Sequence, residues 1–181
     1  IPLCLVGSEM CIRDRITTPA IKVDSVKNYG GKVLLYGDTF DEAFDYATSL
    51  AKKDGFTFIH PYDDQDVIVG QGTVGKELFD EIGSSIDAVF VPVGGGGLLA
   101  GLGTYLKSVT PNTKIIGVEP EDAACLKLAL ENNKRLALKE VGLFADGVAV
   151  KQIGKKTFSL IKDWIDAVSY THLRAHETQR Y

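Results

Sequence analysis

Four consecutive glycines form the stretch of this sequence whose residue types are best suited to chemistry. Gly94–Gly97 follow an apolar run, Ala88–Val93, that predicts a short buried strand, and they precede Leu98, Leu99 and Leu102, whose spacing predicts a helix. Glycine lets a ligand approach the backbone, and the unpaired N–H groups that open a helix lie at the positive end of its dipole. The pattern therefore predicts a phosphate site at Gly94, Gly95, Gly96, Gly97 and Leu98, in preference to a turn without a ligand.

Spacing alone leaves two kinds of phosphate site open. Gly95, Gly97 and Ala100 fit the G-x-G-x-x-A pattern of dinucleotide-binding turns, and Glu119 ends the next predicted strand about 20 residues on, where an acid would bind a ribose. The other interpretation is an enzyme that holds its cofactor by a phosphate group alone. Four glycines exceed what the dinucleotide turn requires, but the spacing does not separate the two interpretations.

Other polar residues predict less specific roles. Asp63, Asp64 and Asp66 are typical of a solvated helix start, where the helix dipole favours acids. His60 precedes a proline in a predicted loop and is interpreted as a packed or exposed histidine rather than a base. His172 and His176 have the i,i+4 spacing of a metal pair, but no third ligand is in view, so no metal site is predicted.

Composition excludes several classes of protein. The 181 residues are 45% hydrophobic and carry a net charge of −4 without a basic stripe, which argues against nucleic acid as a partner. No apolar run approaches the roughly 20 residues that a membrane span needs. Cys4, Cys11 and Cys125 form neither a disulfide framework nor a CxxC motif, which favours a reducing, cytoplasmic setting.

The elements that must position the glycines alternate between strands and helices. Predicted strands are Lys32–Tyr36, Phe56–Ile59, Ala88–Val93, Lys114–Glu119 and a buried strand within Val141–Val150. Predicted helices are Ile21–Tyr29, Phe40–Ala51 behind a Thr39/Glu42 capping box, Val67–Ile82, Leu98–Leu106, Ala123–Leu130 with Cys125 in the core, and Ile153–Ile165. Glycines at 70, 72 and 75 inside one helix predict close packing or a frayed first turn. This alternation predicts an α/β fold of three layers, mostly parallel sheets covered by helices on both faces.

The two ends of the chain differ from its body. Residues 1–15 and 169–181 show no sustained period and resemble peptides translated from sequencing-adapter DNA. We expect both to be foreign to the native protein, with the body running from Ile16 to Val168. Since the first residue is Ile1, we also expect the chain to be a piece of a longer protein.

Val91–Leu98 resembles the tetraglycine loop of the fold-type-II pyridoxal-phosphate enzymes. Four other stretches resemble one branch of that family, the biosynthetic threonine dehydratases (threonine ammonia-lyases): Thr18–Asp24, Gly70–Thr73, Glu119–Lys127 and Gly142–Val150. They occur in the same order as in the branch, and the resemblance covers nearly all of residues 16–168.

The resemblance implies a two-lobed, tryptophan synthase β-like fold, with 16–60 in a small lobe that closes on substrate and 61–168 in a large lobe that holds the cofactor. It implies pyridoxal 5'-phosphate gripped by the main chain of Gly94–Leu98, and a full-length protein that is a homo-oligomer. The implied reaction converts L-threonine into 2-oxobutanoate and ammonia at the entry to isoleucine synthesis. Within the family, the alternatives are a catabolic serine/threonine dehydratase and a serine racemase.

The chain departs from the family pattern by what it lacks. The Ser-Phe-Lys-type motif with the Schiff-base lysine, the Ser-x-Gly-Asn-His stretch, the serine at the ring nitrogen and the regulatory domain are all missing. Lys22, Lys76, Lys107 and Lys151 have no motif that supports a catalytic role and are interpreted as solvated lysines. We therefore expect no catalytic residue here and an inactive internal fragment.

Two acids are weighed against the family pattern. Asp146 lies either near the cofactor ring or in a loop-capping role. A glutamate that matches Glu119 ligates a cation in related serine racemases, but the residues after it differ in spacing here, so no metal is predicted. A nicotinamide-dependent oxidoreductase and a non-catalytic phosphate-binding domain remain the alternatives from other classes.

Overall fold

The computed structural model describes residues 11–14, 16, 18–38, 40–142, 145 and 147–171. The chain divides into two compact units between Phe58 and Ile59. Assignment of these units to a substrate-closing lobe and a cofactor-holding lobe stays a prediction.

The first unit is built on two parallel strands. Its elements are β1 (Cys11–Asp14), α1 (Ala20–Asn28), β2 (Lys32–Leu35) and α2 (Phe40–Asp54). Cys11 pairs with Lys32 and Asp14 with Leu35, and α1 forms the crossover that a parallel pair requires. β1 lies inside the stretch that we expect to be foreign to the native protein, an expectation that the pairing leaves untested.

Helix α2 packs through the apolar face that its sequence period predicts. Ala43 is buried, and the ring of Phe44 meets Phe58 edge-on at 5.3 Å between centroids. Thr39 of the predicted capping box lies outside the described residues, while the carboxylate of its partner Glu42 accepts a hydrogen bond from the Asp38 N–H at 2.8 Å.

The predicted strand at Phe56–Ile59 is wrong. These residues form no regular element, and the described sheet of this unit consists of β1 and β2 alone. An apolar run becomes a strand only where a neighbour pairs with its N–H and C=O groups. Here the N–H of Phe56 donates to Ala51 instead, which ends α2.

The second unit contains a parallel sheet of three strands. Its elements are α3 (Gln65–Ile82), β3 (Ala88–Pro92), α4 (Gly97–Val109), β4 (Lys114–Pro120), a 3₁₀ turn (Glu121–Ala123), α5 (Cys125–Glu131), α6 (Lys155–Ile161) and β5 (Ala167–Thr171). The strand order is β3-β4-β5, with Phe90 opposite Ile116 and Gly117 opposite Val168. Helices connecting parallel strands confirm the predicted α/β class.

The core of this unit surrounds α4, whose backbone lies close to α3. A Cβ at Gly75 would come within 2.9 Å of the Leu102 carbonyl oxygen, and one at Gly72 within 3.4 Å of the Gly101 oxygen. The predicted close packing is therefore confirmed at these two glycines, whereas Gly70 faces open space. The largest fully buried apolar side chains are Leu99, Leu106, Ile115, Leu126, Ile153, Ile161, Val91 and Val93.

The segment after α5 differs most from its sequence-based prediction. The buried strand predicted within Val141–Val150 is wrong, because the described residues there form turns closed by short local bonds, such as Val148 N–H to Ala145. Helix α6 ends at Ile161 rather than Ile165, and the ring of Trp164 lies against Gly103. β5 runs three residues past Val168 into the tail that we expect to be foreign.

None of the helices within the described ranges combines the length and apolarity that crossing a membrane would require.

Candidate functional site

The glycine loop, Gly94–Gly97, connects β3 to α4. The N–H of Val93 donates to Val118 at 2.9 Å, so the loop begins where the sheet ends. Gly96 caps α4 with φ 90° and ψ 1°, a left-handed conformation that favours glycine. The predicted order of strand, glycine loop and helix is confirmed.

The loop turns its carbonyl groups toward the protein. The Gly95 oxygen accepts hydrogen bonds from Thr157 Oγ1 at 2.8 Å and from the Gly154 N–H at 3.2 Å. The Gly94 oxygen accepts from Cys125 Sγ at 3.4 Å, and the Gly96 oxygen from the Ala100 N–H at 2.8 Å. The carbonyl oxygens of Gly94, Gly95 and Gly96 are therefore all hydrogen-bonded within the protein.

The backbone N–H groups of the same stretch, unlike its carbonyl oxygens, form no hydrogen bond to another described residue. Across the described part of the chain, no acceptor is found for the backbone N–H groups of Gly94–Leu98. Gly95, Gly96 and Gly97 are buried, and a buried donor without a partner costs about 1–3 kcal/mol. They lie at the N-terminus of the 13-residue α4, whose dipole adds positive potential. This donor set suits a phosphate group.

Protein packing also requires the glycines. A Cβ at Gly95 would lie 2.2 Å from the ring of Tyr62, and one at Gly96 would lie 2.6 Å from Ile153 Cδ1. A Cβ at Gly94 would approach Val148 Cα to 3.0 Å. The sequence could not reveal these contacts, because their partners are distant along the chain.

His60 organises the turn that brings Tyr62 onto the loop. Its Nδ1 accepts hydrogen bonds from the N–H groups of Tyr62 at 3.3 Å and Asp63 at 3.0 Å. Burial lowers the pKa of His60, which favours the neutral ring that such acceptance requires. The imidazole is a packed, turn-holding group, in agreement with the sequence-based interpretation.

The sequence predicts that the three acids after His60 are solvated, but the structure shows that this is wrong for Asp63. Asp64 caps α3 by accepting from the N–H of Asp66 at 2.9 Å, and Asp66 is exposed. Asp63, in contrast, is half-buried and caps α6, accepting from the N–H groups of Lys155 at 2.9 Å and Lys156 at 2.7 Å. No local pattern could have indicated this second role.

Glu119 is a buried structural acid. Its exposure is 0%, and its two oxygens accept from the N–H groups of Leu126 at 2.7 Å and Lys127 at 2.9 Å. Burial raises the pKa of Glu119, and burial together with the Glu119 charge raises the pKa of Cys125 to about 12. With both oxygens engaged inside the protein and no exposed surface, this carboxylate does not reach a ribose.

The burial of Glu119 also bears on the dinucleotide interpretation of the glycine loop. The dinucleotide interpretation of Gly95, Gly97, Ala100 and Glu119 is therefore wrong in its acid. No group of three His, Cys, Asp or Glu side chains in the described part of the chain is arranged to hold a metal. Asp146, His172 and His176 lie outside the described residues.

Lys22, Lys76 and Lys151 are exposed, as predicted, whereas the prediction of a solvated lysine is wrong for Lys107, whose side chain is only 18% exposed. Lys107, on the last turn of α4 and therefore remote from the glycine loop, donates to Asp166 at 2.8 Å and to the Thr113 carbonyl at 2.9 Å. Lys76 pairs with Asp80 on the exposed face of α3.

A separate cavity lies elsewhere in the second unit. Between α3, α4 and α6 is a space of about 950 Å³ whose lining includes Ile68, Thr104 and Leu160 but no residue of the glycine loop. A space of this size could hold a small ligand, whereas the backbone donors of the loop suit a phosphate in particular, and we regard the donors as the stronger criterion for the phosphate site.

Comparison with known proteins identifies the class. Residues 6–181 match the family described as pyridoxal-phosphate dependent enzyme. The chain belongs to this family, and the fold type and cofactor class predicted from the glycine loop are confirmed.

Named relatives specify the branch. The chain is 53% identical over 162 residues to threonine dehydratase 1 biosynthetic, chloroplastic, of Solanum lycopersicum, covering 90% of this chain and 27% of that protein. It is 52% identical over 151 residues to the biosynthetic L-threonine dehydratase of Salmonella typhimurium, covering 83% and 29%. The solved threonine deaminase isoform 2 of Solanum lycopersicum superimposes with a TM-score of 0.85 at 49% identity, covering 91% of this chain and 48% of that one. The chain thus spans less than a third of the curated relatives it matches.

Proposed function

We propose that this chain forms part of the catalytic region of a threonine ammonia-lyase, which converts L-threonine into 2-oxobutanoate and ammonia in isoleucine biosynthesis. About half of its residues are identical to proteins named biosynthetic threonine dehydratases, and this supports the biosynthetic branch. Because the chain spans only part of those proteins, the complete activity is assigned to a longer polypeptide.

The backbone of Gly94–Leu98 is proposed to hold the phosphate of pyridoxal 5'-phosphate. One observation carries this assignment: the loop carbonyls accept hydrogen bonds from the protein, whereas the N–H groups at the start of α4 have no described acceptor. When bound, the cofactor supplies an electron sink for the negative charge that develops at the amino-acid Cα. The chain's own contribution is to bind and orient the phosphate end.

The remaining roles are assigned to other parts of the protein. The unit from Ile59 onward would be the cofactor-holding lobe, and the unit before it the lobe that closes on substrate. The lysine that carries the cofactor is expected in another segment, since Lys22, Lys76, Lys107 and Lys151 are exposed or bound to other groups. Homo-oligomeric assembly and a cytoplasmic location also belong to this proposal, although the names of plant relatives specify chloroplasts.

Ligand titration tests the phosphate assignment on the 181-residue chain. Pyridoxal 5'-phosphate and inorganic phosphate should both shift the amide ¹H–¹⁵N resonances of Gly95–Leu98, while pyridoxal without phosphate should not. Equal binding of pyridoxal, or tighter binding of NAD at the same amides, would contradict the assignment.

A pair of variants at Leu98 isolates the role of charge. Leu98 lies in the first turn of α4, where its half-buried side chain packs against the core, so Leu98→Asp adds a negative charge to that turn, whereas Leu98→Asn has nearly the same shape as L98D without the charge. Since a unit charge at about 4 Å contributes roughly 1–4 kcal/mol in partly solvated surroundings, we expect at least about fivefold weaker phosphate binding by L98D than by L98N. Equal affinities would contradict anion binding at this helix end.

Activity measurements test the reaction. The full-length protein should form 2-oxobutanoate from L-threonine more efficiently than pyruvate from L-serine. Preference for L-serine would favour a catabolic dehydratase, and D-serine as the main product would favour a racemase. The 181-residue chain with added cofactor should form no 2-oxobutanoate, and measurable product would contradict its interpretation as an incomplete catalytic unit.

A further inference from the structure

The hydroxyl of Thr157 fixes the peptide group that joins Gly95 to Gly96. Thr157 is fully buried, and its Oγ1 donates to the Gly95 oxygen at 2.8 Å. The Gly154 N–H donates to the same oxygen at 3.2 Å. Two donors from the start of α6 therefore hold this carbonyl on the side of the loop that faces α6.

Fixing a carbonyl also fixes the N–H of the same peptide group. A trans peptide is planar, so its N–H points away from its C=O, and the described residues contain no cis peptide. The Gly96 N–H must therefore point away from Thr157, to the side of the loop where the N–H groups have no protein acceptor.

The carbonyl oxygens on either side, those of Gly94 and Gly96, accept from a thiol and from a backbone N–H rather than from a hydroxyl. The Gly94 oxygen is held by the thiol of Cys125 at a longer 3.4 Å, and the Gly96 oxygen by the first backbone bond of α4 itself. Thr157 thus supplies the one short side-chain bond among the described contacts of the loop carbonyls. It acts between two glycines, where steric resistance to rotation of the peptide group is smallest.

We propose that Thr157 is a positioning residue that directs the Gly96 N–H toward a phosphate bound at the glycine loop. The proposal rests on the proposed function of that loop. Loss of the hydroxyl leaves this carbonyl held only by the longer bond from the Gly154 N–H, so that the peptide group rotates and the Gly96 N–H is lost as a phosphate donor in part of the population.

Two substitutions separate the hydroxyl from the shape of the side chain. Thr157→Val removes Oγ1 and keeps the volume, whereas Thr157→Ser keeps the hydroxyl. From the usual net contribution of one hydrogen bond, we expect T157V to weaken inorganic phosphate binding about fivefold or more and T157S to stay within about twofold of the unsubstituted chain. The Gly96 amide should lose most of its phosphate-induced ¹⁵N shift in T157V only.

A stability control distinguishes positioning from general damage. Asp63→Asn weakens the cap of α6, including the bond from the Thr157 N–H at 3.1 Å, but leaves the hydroxyl in place. Under conditions in which D63N is fully folded, its affinity for phosphate should stay within about twofold of that of the unsubstituted chain, since no bond to the loop carbonyls is removed. If T157V does not fold, Thr157→Ala provides the same test without Oγ1.

The outcomes distinguish this proposal from the one on which it rests. If the unsubstituted chain binds phosphate at Gly95–Leu98 and T157V binds equally well, positioning by Thr157 is overturned while the phosphate site stands. An equal loss of affinity in D63N would also overturn it, because stability would then explain the effect. If the unsubstituted chain does not bind phosphate there, both proposals fail together.

Discussion

The carboxylate of Asp63 accepts a hydrogen bond from the backbone N–H of Lys156 at 2.7 Å, although 93 residues separate the two. The same side chain accepts from the N–H groups of Lys155 and Thr157. Through these bonds the turn at His60 is joined to the start of α6, and α6 in turn carries the hydroxyl that binds the glycine loop.

Removal of this tertiary cap should destabilise the second unit. Asp63→Ala leaves three N–H groups of α6 without an acceptor, so we expect the free energy of unfolding to fall by about 1–2 kcal/mol, as for other helix caps. Urea denaturation followed by circular dichroism measures the change. Exposed Asp66→Ala is the matched control and should change stability by less than about 0.5 kcal/mol; an equal effect of both variants would contradict the cap.

The glycines of α3 make a second comparison possible. Gly75→Ala should reduce the free energy of unfolding by about 1–3 kcal/mol, because its Cβ would lie 2.9 Å from the Leu102 oxygen. Gly70→Ala meets nothing within 4 Å and should increase stability by about 0.5–1 kcal/mol through helix propensity. Thermal or urea unfolding of both variants measures this, and effects of the same sign would contradict the described packing of α3 on α4.

Local sequence patterns predict the parts of this fold that neighbouring residues determine. The period of apolar residues locates α2, α3 and α4, and the apolar runs locate β3 and β4. The same kind of pattern fails at Phe56–Ile59 and within Val141–Val150, because a strand also depends on a partner that the run itself does not specify.

The candidate site also has one part that the local sequence predicts and another that it does not. Its donors belong to one continuous stretch, Gly94–Leu98, so their chemistry is readable from the sequence. The groups that orient and pack them, Tyr62, Ile153 and Thr157, lie tens of residues away in the chain. Glu119 shows how spacing alone can mislead. Its spacing fits a ribose-binding acid, but in the fold its two oxygens accept hydrogen bonds from the N–H groups of Leu126 and Lys127.

Glu119→Gln tests the structural role of that acid. Both carboxylate oxygens accept backbone N–H groups, and an amide offers one acceptor and one donor, so one N–H would face a donor. We expect a loss of about 1–3 kcal/mol in the free energy of unfolding, the usual cost of one unsatisfied buried group. Hydrogen exchange should quicken at the amides of Leu126 and Lys127. Unchanged exchange there would contradict the assigned bonds.

Protonation of His60 should destabilise the turn beneath the glycine loop. Burial lowers the pKa of His60 below its ordinary 6.5; Asp63 and Asp64 act in the opposite direction, and Lys156 lowers the pKa further. Because the unfolded chain then binds the proton more readily than the folded chain, the stabilising contribution is complete above pH 6.5. It is lost as the pH falls through the lowered value.

His60→Asn provides the matched control for this pH dependence. The Asn Oδ1 replaces Nδ1 as acceptor for the N–H groups of Tyr62 and Asp63 but does not titrate in this range. Between pH 7 and about 5, the unsubstituted chain should therefore lose more unfolding free energy than H60N, with the other histidines contributing equally to both. Urea denaturation at each pH measures the difference, and parallel curves for the two proteins would show that the imidazole does not accept these bonds.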